Sequence, residues 1–255
     1  MIKDPRLQLS AAEFKNNLRM RLLLPPKNTM SLGTSFDCSC TSDRLVAGMD
    51  DHHALSCHLH SGLRTVRHNQ VVDALADFLI AAFPTATVSK EHALSNTGER
   101  GRVTDIYLAS GPSTYIIDVS VVNTGGKSYI DFGSAEFPGV AGNKRAADKR
   151  TLYSQLNLTN VVIIPFVIEA AGRWSKEATT FLQTTCGVQL PSALTAYQLM
   201  LRKKTLRRRI NCVIAKTNSV IWPRFCGDIT PAGAGSLSSR AEATPGTTVP
   251  QNPSD

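Results

Sequence analysis

No apolar run in this chain approaches the roughly 20 residues that a membrane-spanning helix needs. The opening Met1-Ile2-Lys3-Asp4-Pro5 is polar and leads into no apolar stretch of the signal-peptide kind. These features lead us to expect no membrane partner and an intracellular location, nuclear or cytoplasmic. There is no phosphate-cradling glycine loop: Gly98-Glu99-Arg100-Gly101 and Gly125-Gly126-Lys127 have the wrong spacing. A serine elbow and internal repeats are missing as well. These absences argue against an α/β enzyme acting on a small anionic substrate, and no small-molecule cofactor is expected. Cysteine is scarce and uneven, with three of the six between positions 38 and 57. In a reducing compartment such cysteines read as metal ligands or free thiols before disulfides.

Positive charge, by contrast, is abundant. The net charge is +8 and the pI about 9.3, which favours an anionic partner, most often nucleic acid. Arg202, Lys203, Lys204, Arg207, Arg208 and Arg209 fall within eight positions. They lie in an expected helix over 192–216, whose Leu199, Leu206, Ile210, Val213 and Ile214 form an apolar stripe. Lys203, Lys204, Arg207 and Arg208 on its other side could track phosphates or serve as a nuclear localisation signal.

Two carboxylates stand out. Asp105 lies in Val103-Thr104-Asp105-Ile106-Tyr107-Leu108, and Asp118 in Tyr115-Ile116-Ile117-Asp118-Val119-Ser120-Val121-Val122. Ser110-Gly111-Pro112-Ser113 between them is a turn signal, so the runs read as a hairpin that brings both acids to one spot. Paired carboxylates in apolar strands persist with a cation or a proton between them. Their hard oxygens suit Mg2+ or Mn2+, and phosphodiester cleavage is the commonest use of such a site. The plainer alternative is that either aspartate ends a strand or caps a turn.

The rest of the chain reads as follows. A helix over 11–24 carries Phe14, Leu18, Leu22 and Leu23 on one side. A loop-rich segment spans 31–62. A helix over 69–83 is capped by Asn69 and striped by Val71, Val72, Leu75, Phe78, Leu79 and Ala82. Strands over 86–91, 103–108 and 115–122 precede a glycine-rich loop over 123–142 and a helix over 142–157. A fully apolar strand over 161–168 and a helix over 175–185 follow. The fold class is α/β, more strictly mixed α+β, with a central mixed sheet flanked by helices. From about Gly227 onward Gly, Ser, Thr, Ala and Pro dominate, and the tail over 223–255 is expected to be disordered.

Cys38-Ser39-Cys40, then His53 and Cys57, offer three thiolates and an imidazole, a set that fits tetrahedral zinc. His52, His58 and His60 are alternatives for the imidazole, and a polar loop of unpaired thiols is the plain reading. Cys186 and Cys212 read as small core residues.

The residues taken together carry a family likeness. Asp51-His52-His53-Ala54-Leu55-Ser56-Cys57 followed by Arg67-His68-Asn69-Gln70-Val71-Val72-Asp73 resembles the C-terminal region of non-LTR retrotransposon polyproteins. There a Cys-Cys-His-Cys zinc motif follows the reverse transcriptase and precedes a restriction-like endonuclease of the PD-(D/E)xK superfamily. The resemblance covers about 14–215 and includes the acid pair, twelve residues lying between Asp105 and Asp118. It implies Glu91 as an upstream acid, a lysine on the following helix and a nearby tyrosine, matched by Lys144, Lys149 and Tyr153. Thr104 stands in place of the family's proline. Ser120 stands where superfamily members place a lysine, and Lys144 or Lys149 could reach back to replace it; Lys149 is favoured. Arg102, beside the first acid, would contact the backbone phosphates. No polymerase palm motif precedes the zinc segment, so the chain is expected to be the tail of a polyprotein, a truncated copy or a separately encoded piece.

The expectation is therefore a restriction-endonuclease-like domain over 67–222. It would follow a zinc segment over 31–66 and an N-terminal helix and linker over 1–30. The domain would nick target DNA with Mg2+ or Mn2+, with Zn2+ in its accessory segment. Element RNA and a separate reverse transcriptase are further expected partners. The alternative is a catalytically inactive nucleic-acid-binding remnant.

Overall fold

The computed structural model describes residues 7–21, 33, 35–41, 44–46, 50–93, 103–156, 158, 160–189, 194–228 and 230–231. Arg102 lies outside this set. The architecture is mixed α+β. Four strands, β3 (Thr87–Ala93), β4 (Val103–Ser110), β5 (Ser113–Val122) and β6 (Val161–Glu169), form one sheet in the order β3-β4-β5-β6. The first two pairings are antiparallel and β5 runs parallel to β6. Gly111 takes φ +57, as the first residue of a two-residue primed hairpin turn requires, and Ser110 pairs with Ser113 across it.

Period-two alternation gives the sheet two apolar faces. Ile117, Val119, Phe166 and Ile168 pack into one core with α2 (Ser61–Ala82), α5 (Lys176–Thr180) and α6 (Ala196–Asp228). Ile116, Val122 and Val167 point the other way, towards α4 (Val140–Ser154), and meet Tyr153, Ala141 and Ala146. A short α3 (Lys127–Ile130) precedes α4. The carboxylate of Glu169, at the end of β6, accepts the amide of Gly142 at 3.1 Å in the first turn of α4. Helix amides there are otherwise unsatisfied, so this bond fixes where α4 begins on the sheet.

The N-terminal part is built on short pieces. β1 (Ser35–Asp37) pairs with β2 (Leu45–Val46) and with β7 (Thr230–Pro231). Two 3-10 turns, Asp51–Leu55 and His58–His60, lead into α2. Leu45, Ala54 and Leu55 share a small core with Cys38, Cys57, Ala170 and the far end of α6 at Ile221 and Trp222.

Several boundaries differ from the sequence reading. α2 starts at Ser61, so Asn69 lies within the helix and is not its cap. The helix after β6 is α-helical only over Lys176–Thr180, capped by Ser175, and continues as a π-helix over Phe181–Gln189. α6 runs to Asp228, beyond the expected end at 216. The tail expected from 223 therefore begins as helix and strand, and 232–255 lie outside the described residues. α1 (Ala11–Arg21) opens with a capping box between Ser10 and Glu13. However, Phe14 and Leu18 face solvent, 60% and 45% exposed. α1 instead docks on α6 through Asn17, whose side-chain amide donates to the Ala215 carbonyl at 2.6 Å. Leu22 and Leu23 lie outside the described residues.

Candidate functional site

The two aspartates meet where the sheet opens. The last β4–β5 pair is Ile106 with Ile117, and continuing that register sets Asp105 opposite Asp118. On its other side β4 pairs with β3 at Lys90–Ile106 and again at His92–Thr104, leaving Glu91 opposite Asp105. Glu91 takes φ 52, the left-handed region that a strand residue seldom visits. The β3–β4 ladder is thus interrupted at Asp105, and the β4–β5 ladder ends just before it. Thr104, in the slot of the family's proline, is buried, and its hydroxyl donates to the His92 carbonyl at 3.3 Å.

Each acid has its own partners. The Val119 amide donates to Asp105 Oδ2 at 2.6 Å, and His68 Nε2 lies 3.1 Å from Asp105 Oδ1. Lys149 Nζ donates to Asp118 Oδ1 at 2.5 Å, with both side chains nearly buried. Burial pushes Asp105 up, but His68, the Val119 amide and the adjacent Asp118 outweigh it, and its carboxyl sits below the ordinary value. At Asp118 burial prevails over the Lys149 ammonium, the adjacent Asp105 adds to it, and the carboxyl is raised. The environment thus separates two chemically identical groups, as in dyads that share charge.

The structure brings Asp105, Asp118 and Lys149 together. Glu91 is exposed and lines, with His68, Asn69, Asp73 and Asp105, a cleft of about 410 Å³. Lys144 turns away, pairing with Asp148 at 3.4 Å on its own helix and lying 4.1 Å from the centre of the Phe132 ring. Tyr153 is buried against Ile116. His68, named in the sequence only as part of the run that carries the resemblance, is the direct neighbour of the first acid. The arginine-histidine-asparagine run was the available signal. Its use depended on knowing that α2 already extends past it.

The cysteine-histidine segment forms a second cluster. Ligand atoms of Cys38, Cys40, His53 and Cys57 all lie within 4.8 Å of one another. Sulfur separations are 3.1 Å for Cys38–Cys40, 3.4 Å for Cys40–Cys57 and 3.6 Å for Cys38–Cys57. His53 Nε2 is 2.9 Å from Cys40 Sγ. Four ligands around one zinc would stand about 3.7 Å apart, given Zn–S bonds of about 2.3 Å, so the set is close to what a metal such as zinc requires. Burial lowers the pKa of His53, keeping the imidazole neutral and able to ligate. Burial raises Cys38 and pushes Cys57 up to about 12, so these thiols become thiolates only with a cation among them. His53 is the imidazole that the fold selects. His52 packs under Gly125, His58 is exposed, and His60 is buried at the start of α2.

On α6 the apolar stripe faces the core as expected, with Leu199, Leu206, Ile210 and Ile214 buried. Lys203 donates to the Cys186 carbonyl at 2.5 Å, tying the helix to the π-helical turn. Arg207 lies 5.1 Å from the centre of the Trp174 ring. Lys204 and Arg208 are exposed. Cys186 is a core residue with no exposure, and Cys212 is half-buried. Among the described residues no helix is long and apolar enough to cross a membrane.

No family model matches the chain, and no curated protein matches its sequence.

Proposed function

We propose that this chain is a metal-dependent DNA endonuclease domain with a restriction-endonuclease-like sheet, of the kind that ends non-LTR retrotransposon polyproteins. The observation that carries the reading is the Asp105–Asp118 pair at the parting of β4 and β5, with Lys149 on one acid and His68 on the other. Two hard carboxylates side by side are a donor set for Mg2+ or Mn2+. Bound there, such an ion supplies Lewis acidity at the scissile phosphate and lowers the pKa of an attacking water. Lys149 offers a nearly buried ammonium to orient that water or to meet the charge that builds on the phosphate oxygens. His68, with Nε2 against Asp105 Oδ1, fixes the rotamer of Asp105. Zn2+ on Cys38, Cys40, His53 and Cys57 is a structural ion in this reading, since all four positions are protein ligands. The exposed cations of α6 and the net charge of +8 favour DNA, or element RNA, as the polymer bound. A reverse transcriptase, on the same or a separate chain, would use the nick.

A second reading, an inactive nucleic-acid-binding remnant, draws on Ser120 in the usual lysine slot. Nicking of supercoiled plasmid in Mg2+ or Mn2+ separates the two. The wild type should nick, and Asp118→Asn should lose about 100-fold or more in rate while still retarding DNA on a gel. Equal nicking by both proteins would overturn the assignment of the acid pair. A wild type that binds DNA without nicking selects the remnant.

A further inference from the structure

His68 separates the Glu91 cleft from a second cleft of about 410 Å³ on its other side. Three arginines reach this second cleft from two elements, Arg64 and Arg67 from α2 and Arg145 from α4. Hydroxyls of Ser120, Ser128 and Tyr129 join them, and among the described residues no carboxylate lines the cleft. Arg67 is only 2% exposed. One of its terminal nitrogens donates to Asn218 at 2.6 Å, yet its Nε is buried with no partner, as is the Nε of Arg64. Burial and the neighbouring Arg64 together push the Arg67 guanidinium down to about 10. Like charges gathered on one polar cleft, with no carboxylate among the described lining residues to answer them, describe a site completed by an anion. Guanidinium forks suit a tetrahedral oxyanion better than they suit a halide.

The placement says which oxyanion. Ser120 follows Asp118 by two on β5, on the same face, and Arg145 precedes Lys149 by four on α4, on the same side. The arginine cleft therefore continues the wall that holds the acid pair. It lies about 7 Å further along the strand, comparable to one step between neighbouring phosphates of a nucleic-acid chain.

We propose that this cleft binds the phosphodiester next to the one held at the acid pair and leads the strand towards the zinc segment. The placement of that strand rests on the nuclease reading; the anion site itself does not. The test uses the full, zinc-loaded chain and a labelled duplex oligonucleotide, read by anisotropy across a salt series without added magnesium. Arg64→Gln and Arg145→Gln should each weaken binding about ten-fold and flatten the plot of log K against log salt by about one unit, the share of one phosphate contact. Lys176→Gln, at an exposed lysine on α5, should leave the slope unchanged. Unchanged affinity and slope in both arginine variants would overturn the proposal. So would loss of inorganic phosphate binding in these variants with oligonucleotide binding intact, since the site would then serve the free ion. If the wild type fails to nick while the slope still falls, the catalytic reading is lost and this site stands. If it nicks and the slope does not move, this site is lost and the catalytic reading stands.

Discussion

Asp118 and Lys149 hold each other where neither would rest alone, with 12% and 11% of their side chains exposed. Removing the ammonium leaves an unanswered carboxylate beside Asp105. Removing both leaves an apolar gap that β5 and α4 can close over. Lys149→Met should therefore lower unfolding stability by about 3 kcal/mol, and the double variant with Asp118→Val should recover much of that loss. Urea denaturation checks this, and strictly additive losses would show that the pair is not coupled. The acid pair was legible in the sequence because hairpin spacing is a local property, and Lys149 was singled out by what the family resemblance implies. The partnership of His68 was not, because it depends on where α2 passes the opened end of the sheet. Nor was the left-handed backbone of Glu91, which reports a break in pairing between strands and has no signature in residue type.

Elements place these residues through a few tight contacts. The loop after β5 presses on the 3-10 turn that carries His53. A Cβ at Gly125 would stand 2.4 Å from the His52 ring, and Asn123 donates to the His52 carbonyl at 2.8 Å. Gly125→Ala should displace that turn and weaken metal retention about ten-fold, the usual effect of disturbing the support of a ligand. The transfer rate of zinc to a chromogenic chelator measures it, and an unchanged rate would show that the loop is not a support. The apolar stripes of α2 and α6 were readable from period. The length of α6 was not. Thr217, Asn218 and Ser219 look like a helix end in sequence, but all three are buried. Thr217 donates to the Val213 carbonyl, and Asn218 donates to Ala170 and accepts from Arg67. Thr217 thus bonds back within the helix and Asn218 finds tertiary partners, so neither group ends it. Phe14 and Leu18 misled in the opposite sense, since period alone does not say whether an apolar side finds a partner.

At the scale of the whole molecule, one helix runs from the main core to the small core of the metal cluster. Ile221 and Trp222 complete the core beneath Cys38 and Cys57, whereas Trp174 packs on Phe166 in the main core. Chelation should therefore act at a distance from the sheet. It should lower the melting temperature by about 10 °C and shift Trp222 emission to the red. In a Trp222→Phe variant, which keeps only Trp174, emission should hold until the main transition. A red shift in that variant on chelation would mean that the two cores melt as one. The 33-residue span of α6 also sets an order of events during synthesis. Cys57 precedes Ile221 by 164 positions (221 less 57). At ribosomal rates of about 5–20 residues per second, that interval lasts on the order of ten to thirty seconds. Throughout it Cys38 and Cys57 lack the apolar floor that later covers them, so a newly made chain is open to oxidation at two thiols that the finished core buries.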